Sequence, residues 1–531
     1  MRLNRILPFR PQSSHFFRHA GLAFAVFLIA ACAQNQPARP KSTPASSLGQ
    51  DQIARLLLQL VSGQVSEEKV NELIKAEEAA VAASPTPQAQ DALARSLRLR
   101  ARLFASSTPP RPELSRGDFD RALGYLAHNS SPEGQVQFAQ ALLEKAQTLQ
   151  NFPQTSADAE AAYRSLIDYS STSPPIAEDF QATKLKAMAA QASLNLATLL
   201  ANGSADRTHE ARAVVRQMIA RFDQTPAPDV QARVLGGLVM LGGSLSAGPT
   251  ADQAEAMQLL NAALIRGPKL VVYERFYWLA AARASKALLY HLQTQHEAGF
   301  AEYERLLRDF GDDADPNIRF VLVDARFNDA HFRATGPNGD AKVAIVALEG
   351  LIQDNRRNQD LRVRRIVAKA LINQGYFEER LSEPSFGAAI ARYEAALKHL
   401  DGHTAAPDQY VMSAARINLA SAVMRLTPPR RDQAFDHLAR AEAHLALLSG
   451  PMADQLSAMV LIARAILVGT DTPERKADAL ALIDEAISRF GKKQDNLTAD
   501  FLQILRDLRG SIVRGDGLRL LPQRPLSALG G

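Results

Sequence analysis

From Asp51 onward, apolar residues recur three and four positions apart, as in DQIARLLLQLVSG, ASLNLATLLANG and INLASAVMRL. That is the period of a helix with one buried face. No sustained alternation of Val, Ile and Thr competes with it, so the spacing predicts an all-α fold with no sheet. A helical chain of this length rarely organises around one core, which makes internal periodicity the next question.

A recurring segment answers it. AIARYEAALKHL, AFDHLARAEAHL and ALALIDEAISRF share the pattern small-x-x-x-apolar-x-x-apolar, with anchors at Ala389, Tyr393, Ala396; Ala434, Leu438, Ala441; and Ala479, Ile483, Ala486. The three sets lie 45 residues apart, and steps of the same size reach Ala344, Leu348, Leu351 and then Gly299, Tyr303, Leu306. Ala256, Leu260, Ala263 lies 43 residues earlier, Ala211, Val215, Met218 a further 45, and Ala159, Tyr163, Leu166 a further 52. Breakers such as LANGSADR, GGSLSAGPT, ATGPNGD, TPPRR and GTDTPER precede these segments, and each holds Gly or Pro that ends a helix and turns the chain. The expected unit is a helix pair.

The small-apolar-Ala spacing of the second helix resembles that of tetratricopeptide-type repeats. The period here is 45 residues instead of 34, and the regular Trp, Leu-Gly, Tyr signature of the first helix is missing. The resemblance implies a superhelical α-solenoid of stacked TPR-like helix pairs, without catalytic machinery of its own. A helix pair cannot bury its apolar face alone, so stacking gives a quasi-one-dimensional core with an extended surface for partners.

The start of the chain follows other rules. Arg2, Arg5, Arg10 and Arg18 precede an apolar run from Ala20 to Ala31, which reads as a secretory signal over residues 1–31. The run is shorter than the roughly 20 residues a membrane-spanning helix needs. Next comes Cys32, the single cysteine of the chain, which has no partner for an internal disulfide. Ile29, Ala30, Ala31 and Cys32 resemble the bacterial lipobox. The resemblance implies cleavage before Cys32 and acyl chains on that residue, and two or more acyl chains make a stable anchor. Ala33 stands where an aspartate marks inner-membrane retention in such lipoproteins, so the resemblance implies the periplasmic face of an outer membrane. The Pro-, Ser- and Gln-rich stretch to Gln50 reads as a flexible tether.

The expected organisation is therefore a signal peptide over 1–31, a lipidated cysteine and tether over 32–50, an N-terminal helical region over 51–150, helix-pair repeats over 151–515 and a tail over 516–531. The sequence pI of about 9.2 suggests a nucleic-acid partner only until the signal is removed. Without residues 1–31 the chain holds 57 basic against 56 acidic side chains, which argues against a phosphate-backbone partner.

Chemistry-bearing motifs are sparse. His399 and His403 are four apart, but Gly402 separates them at a helix end and no third ligand is near. Asp313, Asp315 and Asn317 imitate the start of a calcium loop, yet Ile318 stands where the sharp turn needs Gly and Asp324 where a bidentate Glu belongs. No Walker-A or GxSxG motif occurs, so no cofactor, metal or catalytic residue is expected. Tyr273, Arg275, Tyr277 and Trp278 form the densest aromatic stretch and are the candidate partner-binding residues, because Tyr, Trp and Arg dominate binding hot spots. The tail DGLRLLPQRPLSALGG is read either as a cap on the last repeat or as an extended segment offered to a partner.

The function expected is a non-enzymatic scaffold for an envelope assembly or secretion machine, with other envelope proteins as partners and an outer-membrane barrel among them. The layout is similar to lipoproteins that support exopolysaccharide export. Alternatives are a recruiter of peptidoglycan or pilus components, or an accessory region of a cell-wall lytic enzyme.

Overall fold

The computed structural model describes residues 66–173, 179–201, 207–337, 339–446, 448, 451–469, 475–490 and 496–514. Cys32, the signal segment, the tether and the tail after Gly515 lie outside the described residues. Twenty α-helices and no strand are found among the described residues. In chain order they begin with α1 Glu67–Ala83, α2 Pro87–Ser106, α3 Pro112–Leu126, α4 Pro132–Leu149, α5 Ser156–Thr172, α6 Asp179–Ala201 and α7 Thr208–Phe222. Then come α8 Pro228–Leu245, α9 Thr250–Arg266, α10 Arg275–Leu292, α11 His296–Phe310, α12 Pro316–Thr335, α13 Ala341–Asn355 and α14 Leu361–Glu378. The last are α15 Phe386–His399, α16 Ala406–Met424, α17 Arg431–Leu445, α18 Pro451–Gly469, α19 Lys476–Phe490 and α20 Asn496–Arg514.

The chain forms two compact units. The first runs to Ser244 and takes in Asn261–Trp278; the second holds Leu245–Leu260 and the chain from Leu279 onward. Within each unit, helices pack on their sequence neighbours, and the even-numbered ones also pack on one another: α2 on α4 and α4 on α6 in the first, α12 on α14, α14 on α16 and α16 on α18 in the second. The even-numbered helices thus make a closely packed row and the odd-numbered ones a spaced row. Burial follows from this. Helix α14 buries 14 of its 18 residues, whereas α15 buries only Ala389, Tyr393 and Ala396 of its 14. A helix touched on three sides cannot show a one-sided pattern.

All 24 repeat anchors are buried, at 2% exposure or less wherever a side chain is present to measure. The small residue of each triplet lets the paired helix approach, and the following two fill the space between neighbours. Helix α3 carries the same geometry in the region that the sequence reads only as helical: Ser115, Phe119 and Ala122 are fully buried, 44 residues before Ala159. Serine in the first anchor position hides this repeat from a search for alanine.

The turns repeat as well. The backbone N–H of Arg111, Asp340, Ser385 and Arg430 each donates to the carbonyl seven residues back, on Phe104, Arg333, Glu378 and Val423, at 2.8 to 3.2 Å. One turn length between paired helices is what holds the 45-residue period. Side-chain caps start many helices: Thr86 Oγ1 accepts from the Ala89 amide, Ser131 Oγ from Gly134, and Asp315 and Asp360 from amides of α12 and α14. The segment GGSLSAGPT is corrected in part, since Gly242, Gly243 and Ser244 still belong to α8 and the turn begins after Leu245.

Candidate protein-binding surface

The aromatic stretch read as a binding patch divides on folding. Trp278 is only 3% exposed and packs on Gly236 of α8, where a Cβ would lie 2.7 Å from the indole ring. It is therefore a core residue, which corrects the sequence reading of Trp278 as a partner-binding side chain. Tyr277 is half-buried and stands edge-on to Trp278 at 4.8 Å. Arg275 stacks on Phe276 at 4.7 Å and donates to the Leu270 carbonyl, so its guanidinium is used locally. Tyr273 remains exposed, edge-on to Phe276, with Val271 and Ile265 exposed in the same turn between α9 and α10.

The metal-like motifs resolve into helix ends. Asp315 accepts from the Asn317 and Ile318 amides as the cap of α12, and Asp313 Oδ1 accepts from the Asp315 amide at 2.8 Å. Asp324 lies two turns further along α12. The His399 carbonyl accepts from Arg364 at 2.6 Å, while His403 Nδ1 lies 3.8 Å from Asp408 Oδ2. Among the described residues, no three His, Cys, Asp or Glu side chains converge as a metal site.

Two features of the second unit were not read from the sequence. The first is a histidine–aromatic cluster. The His291 ring lies parallel to Phe332 at 4.1 Å, its Nδ1 is 3.1 Å from His296 Nδ1, and Phe300 meets it edge-on at 4.8 Å. Gly299 holds the first anchor position here because a Cβ would come within 2.5 Å of His291 Nε2. Burial, aided by the His296, Arg333 and His331 charges, pushes His291 down to about 3, so the ring is neutral at ordinary pH.

The second is a polar stripe on the even row. On α14, Gln374 donates to the Ile345 carbonyl of α13, and Gly375 meets the Tyr393 ring of α15, so these two faces belong to the spaced row. Arg365, Lys369, Asn373 and Tyr376 share a different face, by their spacing of four, four and three. Arg365 Nε donates to Asp408 of α16 at 2.7 Å. Burial pushes Lys369 down to about 8 against the attraction of Asp324 on α12. Steps of 45 residues give Phe320, Arg365, Tyr410; Asp324, Lys369, Ala414; Asn328, Asn373, Asn418; and His331, Tyr376, Ser421. Asparagine is the constant among these rows, and the same step, applied to polar positions, would have found it in the sequence.

These amides differ in how they are satisfied. Asn328 Nδ2 donates to Asp324 at 3.1 Å. Asn373 is 1% exposed and neither its Oδ1 nor its Nδ2 has a hydrogen-bond partner; Asn418 Nδ2 and the Tyr376 hydroxyl are also buried without one. In the first unit Asn195 sits 16 residues before its anchor Ala211, as Asn373 does before Ala389, and it accepts from Gln191 at 2.8 Å.

No protein-family model matches the chain. No curated protein matches it either. Among solved structures it is similar to the APC/C hetero-tetramer Cut9–Hcn1, at 12% identity and a TM-score of 0.33 over 86% of this chain and 96% of that one. It is also similar to an engineered protein, at 16% identity and a TM-score of 0.29 over 84% of this chain and 98% of that one. The helices themselves settle the architecture: an all-α solenoid of stacked, TPR-like helix pairs with a repeated core and non-repeating surface chemistry.

Proposed function

We propose that this chain is a non-enzymatic, lipid-anchored protein of the outer membrane whose helix-pair solenoid binds other envelope proteins in the periplasm. The observation that carries the reading is the contrast between core and surface. The anchors repeat in every pair, while positions such as Phe320, Arg365 and Tyr410 change chemistry from one pair to the next. A surface that varies on a constant frame is suited to recognising a partner along its length. The lipobox at Ile29 to Cys32 supplies the anchor, and no helix among the described residues is long and apolar enough to cross a membrane. The similarity of layout to exopolysaccharide-export lipoproteins makes an outer-membrane export barrel the first partner to seek.

The test is affinity capture from crosslinked, detergent-solubilised envelopes, comparing wild type with Cys32→Ala, with mass spectrometry of the captured proteins and of the N-terminal peptide. An acylated Cys32 together with an outer-membrane barrel supports the reading. An unmodified N-terminus refutes the anchor, and capture of pilus or wall-synthesis proteins instead replaces export with one of those machines.

A further inference from the structure

We propose that the side of α12, α14 and α16 carrying Asn328, Asn373 and Asn418 binds an extended polypeptide segment of a partner through that segment's backbone. This rests on the protein-binding reading above and assigns it a surface and a mode.

Register is the first support. Asparagine occupies one position in three consecutive pairs, each 45 residues from the next, while the flanking positions on the same stripe do not repeat. A group that stays constant while its neighbours vary fits a ligand feature that is itself constant.

The second support is the state of the amides. A buried amide without a partner is a standing cost, and native structures carry few. In the first unit Gln191 satisfies Asn195 from one turn earlier. The equivalent residues in the second unit are Asp324, Lys369 and Ala414. Asp324 serves Asn328, but Lys369 has no acceptor to offer Asn373 Nδ2 and Ala414 has no polar group for Asn418. The sequence has thus withdrawn the intrahelical partner from Asn373 and Asn418, and both have Nδ2 buried and unpaired.

The third is spacing. Packed helices lie about 8–10 Å apart. An extended or polyproline-type chain rises about 3.1–3.4 Å per residue, so about three residues span one helix of the row. A carboxamide donates and accepts, which is what one peptide unit requires, and the match recurs at each helix whatever the side chains of the segment. A glycan would instead need an open aromatic face for stacking. The Tyr376 ring is buried and covered by the Arg380 guanidinium at 4.2 Å, and Arg380 itself is exposed at the end of the stripe.

The experiment uses the mature chain with Cys32→Ser, which removes the acyl anchor without touching the solenoid. Dodecapeptides are selected from a phage-displayed random library, and the tightest is measured by fluorescence anisotropy against this chain and against the same chain with Asn373→Leu and Asn418→Leu. Circular dichroism checks the fold. The expected result is a loss of about tenfold or more in the double variant, a similar loss when every third backbone amide of the peptide is N-methylated, and changes under about threefold for single alanine substitutions in the peptide. Failure to select any peptide, or equal binding by the double variant, overturns the proposal. So does a neutral hexasaccharide that binds the Cys32→Ser chain and not the double variant, which would make the stripe a glycan site. Envelope capture that is unchanged by the double variant would leave the scaffold standing while removing this surface from it.

Discussion

Replacing Gly375 by alanine tests how the repeat balances volume between paired helices. The new Cβ would lie 2.7 Å from Tyr393 Cε1, 2.9 Å from its Cζ and 3.0 Å from the Ala389 carbonyl oxygen. Ordinary carbon contacts begin near 3.5 Å, so something must move by more than half an ångström. Neither neighbour yields cheaply. One is backbone, and the other is a fully buried ring pinned by its hydroxyl, which donates to Glu379 at 2.7 Å. Overpacking of this kind costs about 1–3 kcal/mol, against a gain of about 1 kcal/mol from the better helix propensity of alanine. We expect Gly375→Ala to destabilise by about 1 kcal/mol.

The adjoining pairs supply the rescue. At the same register, 14 residues before the first anchor, Ala330 is paired with Leu348 and Ala420 with Leu438, whereas Gly375 is paired with Tyr393. Tyr393→Leu alone should cost about 3 kcal/mol through the cavity and the lost hydroxyl bond. Combined with Gly375→Ala it recreates the arrangement of its neighbours, so the double variant should be at least about 1 kcal/mol more stable than the sum of the single effects predicts. Urea unfolding followed by circular dichroism gives the global effect. Amide hydrogen exchange on α14 and α15 gives the local one, which matters because stacked repeats need not unfold all at once. Stabilisation by Gly375→Ala, or additivity within about 0.5 kcal/mol, would refute the argument.

Removing the orphaned amide by Asn373→Leu should raise stability by about 1–3 kcal/mol in the same urea assay, and a loss would show that the amide is paired in solution. The histidine cluster sets a pH dependence: His291 titrates near 3 when folded and near 6.5 when unfolded, so the unfolded chain takes up the proton first. Its contribution is complete above about pH 6.5 and drains toward pH 3, by about 3 kcal/mol, and thermal unfolding across this window should show a shallower slope for His291→Asn. An unchanged slope would mean that the imidazole is already solvated. Asp315→Ala should cost about 1 kcal/mol by uncapping α12, and calcium or a chelator should leave the melting curve of the wild type where it is. A calcium-dependent rise would restore the metal-loop reading of that turn.

The core was legible because its constraint is local and periodic. A small residue, a large one four later and another three after that can be recognised within one helix, and equal turns carry the pattern forward at 45 residues. Trp278 was misread for the opposite reason. The space for its ring is made by Gly236, 42 residues earlier on another helix, and no spacing within KLVVYERFYWLAAARAS reveals that vacancy. Gly299 shows the same limit. It looks like a relaxed form of the alanine anchor until His291 is seen filling the space its methyl would take.

The polar stripe is a departure from the economy of its own row. Even-numbered helices are enclosed on three sides, so apolar side chains are the inexpensive choice there, and α18 makes that choice: Met459, Ala463 and Ile466 stand at the register of Lys369, Asn373 and Tyr376. It also shows that the packing geometry of the row does not require asparagine. The amides of α14 and α16 therefore have no structural necessity behind them, and the stability they forfeit has to be recovered in a state where their hydrogen bonds are made.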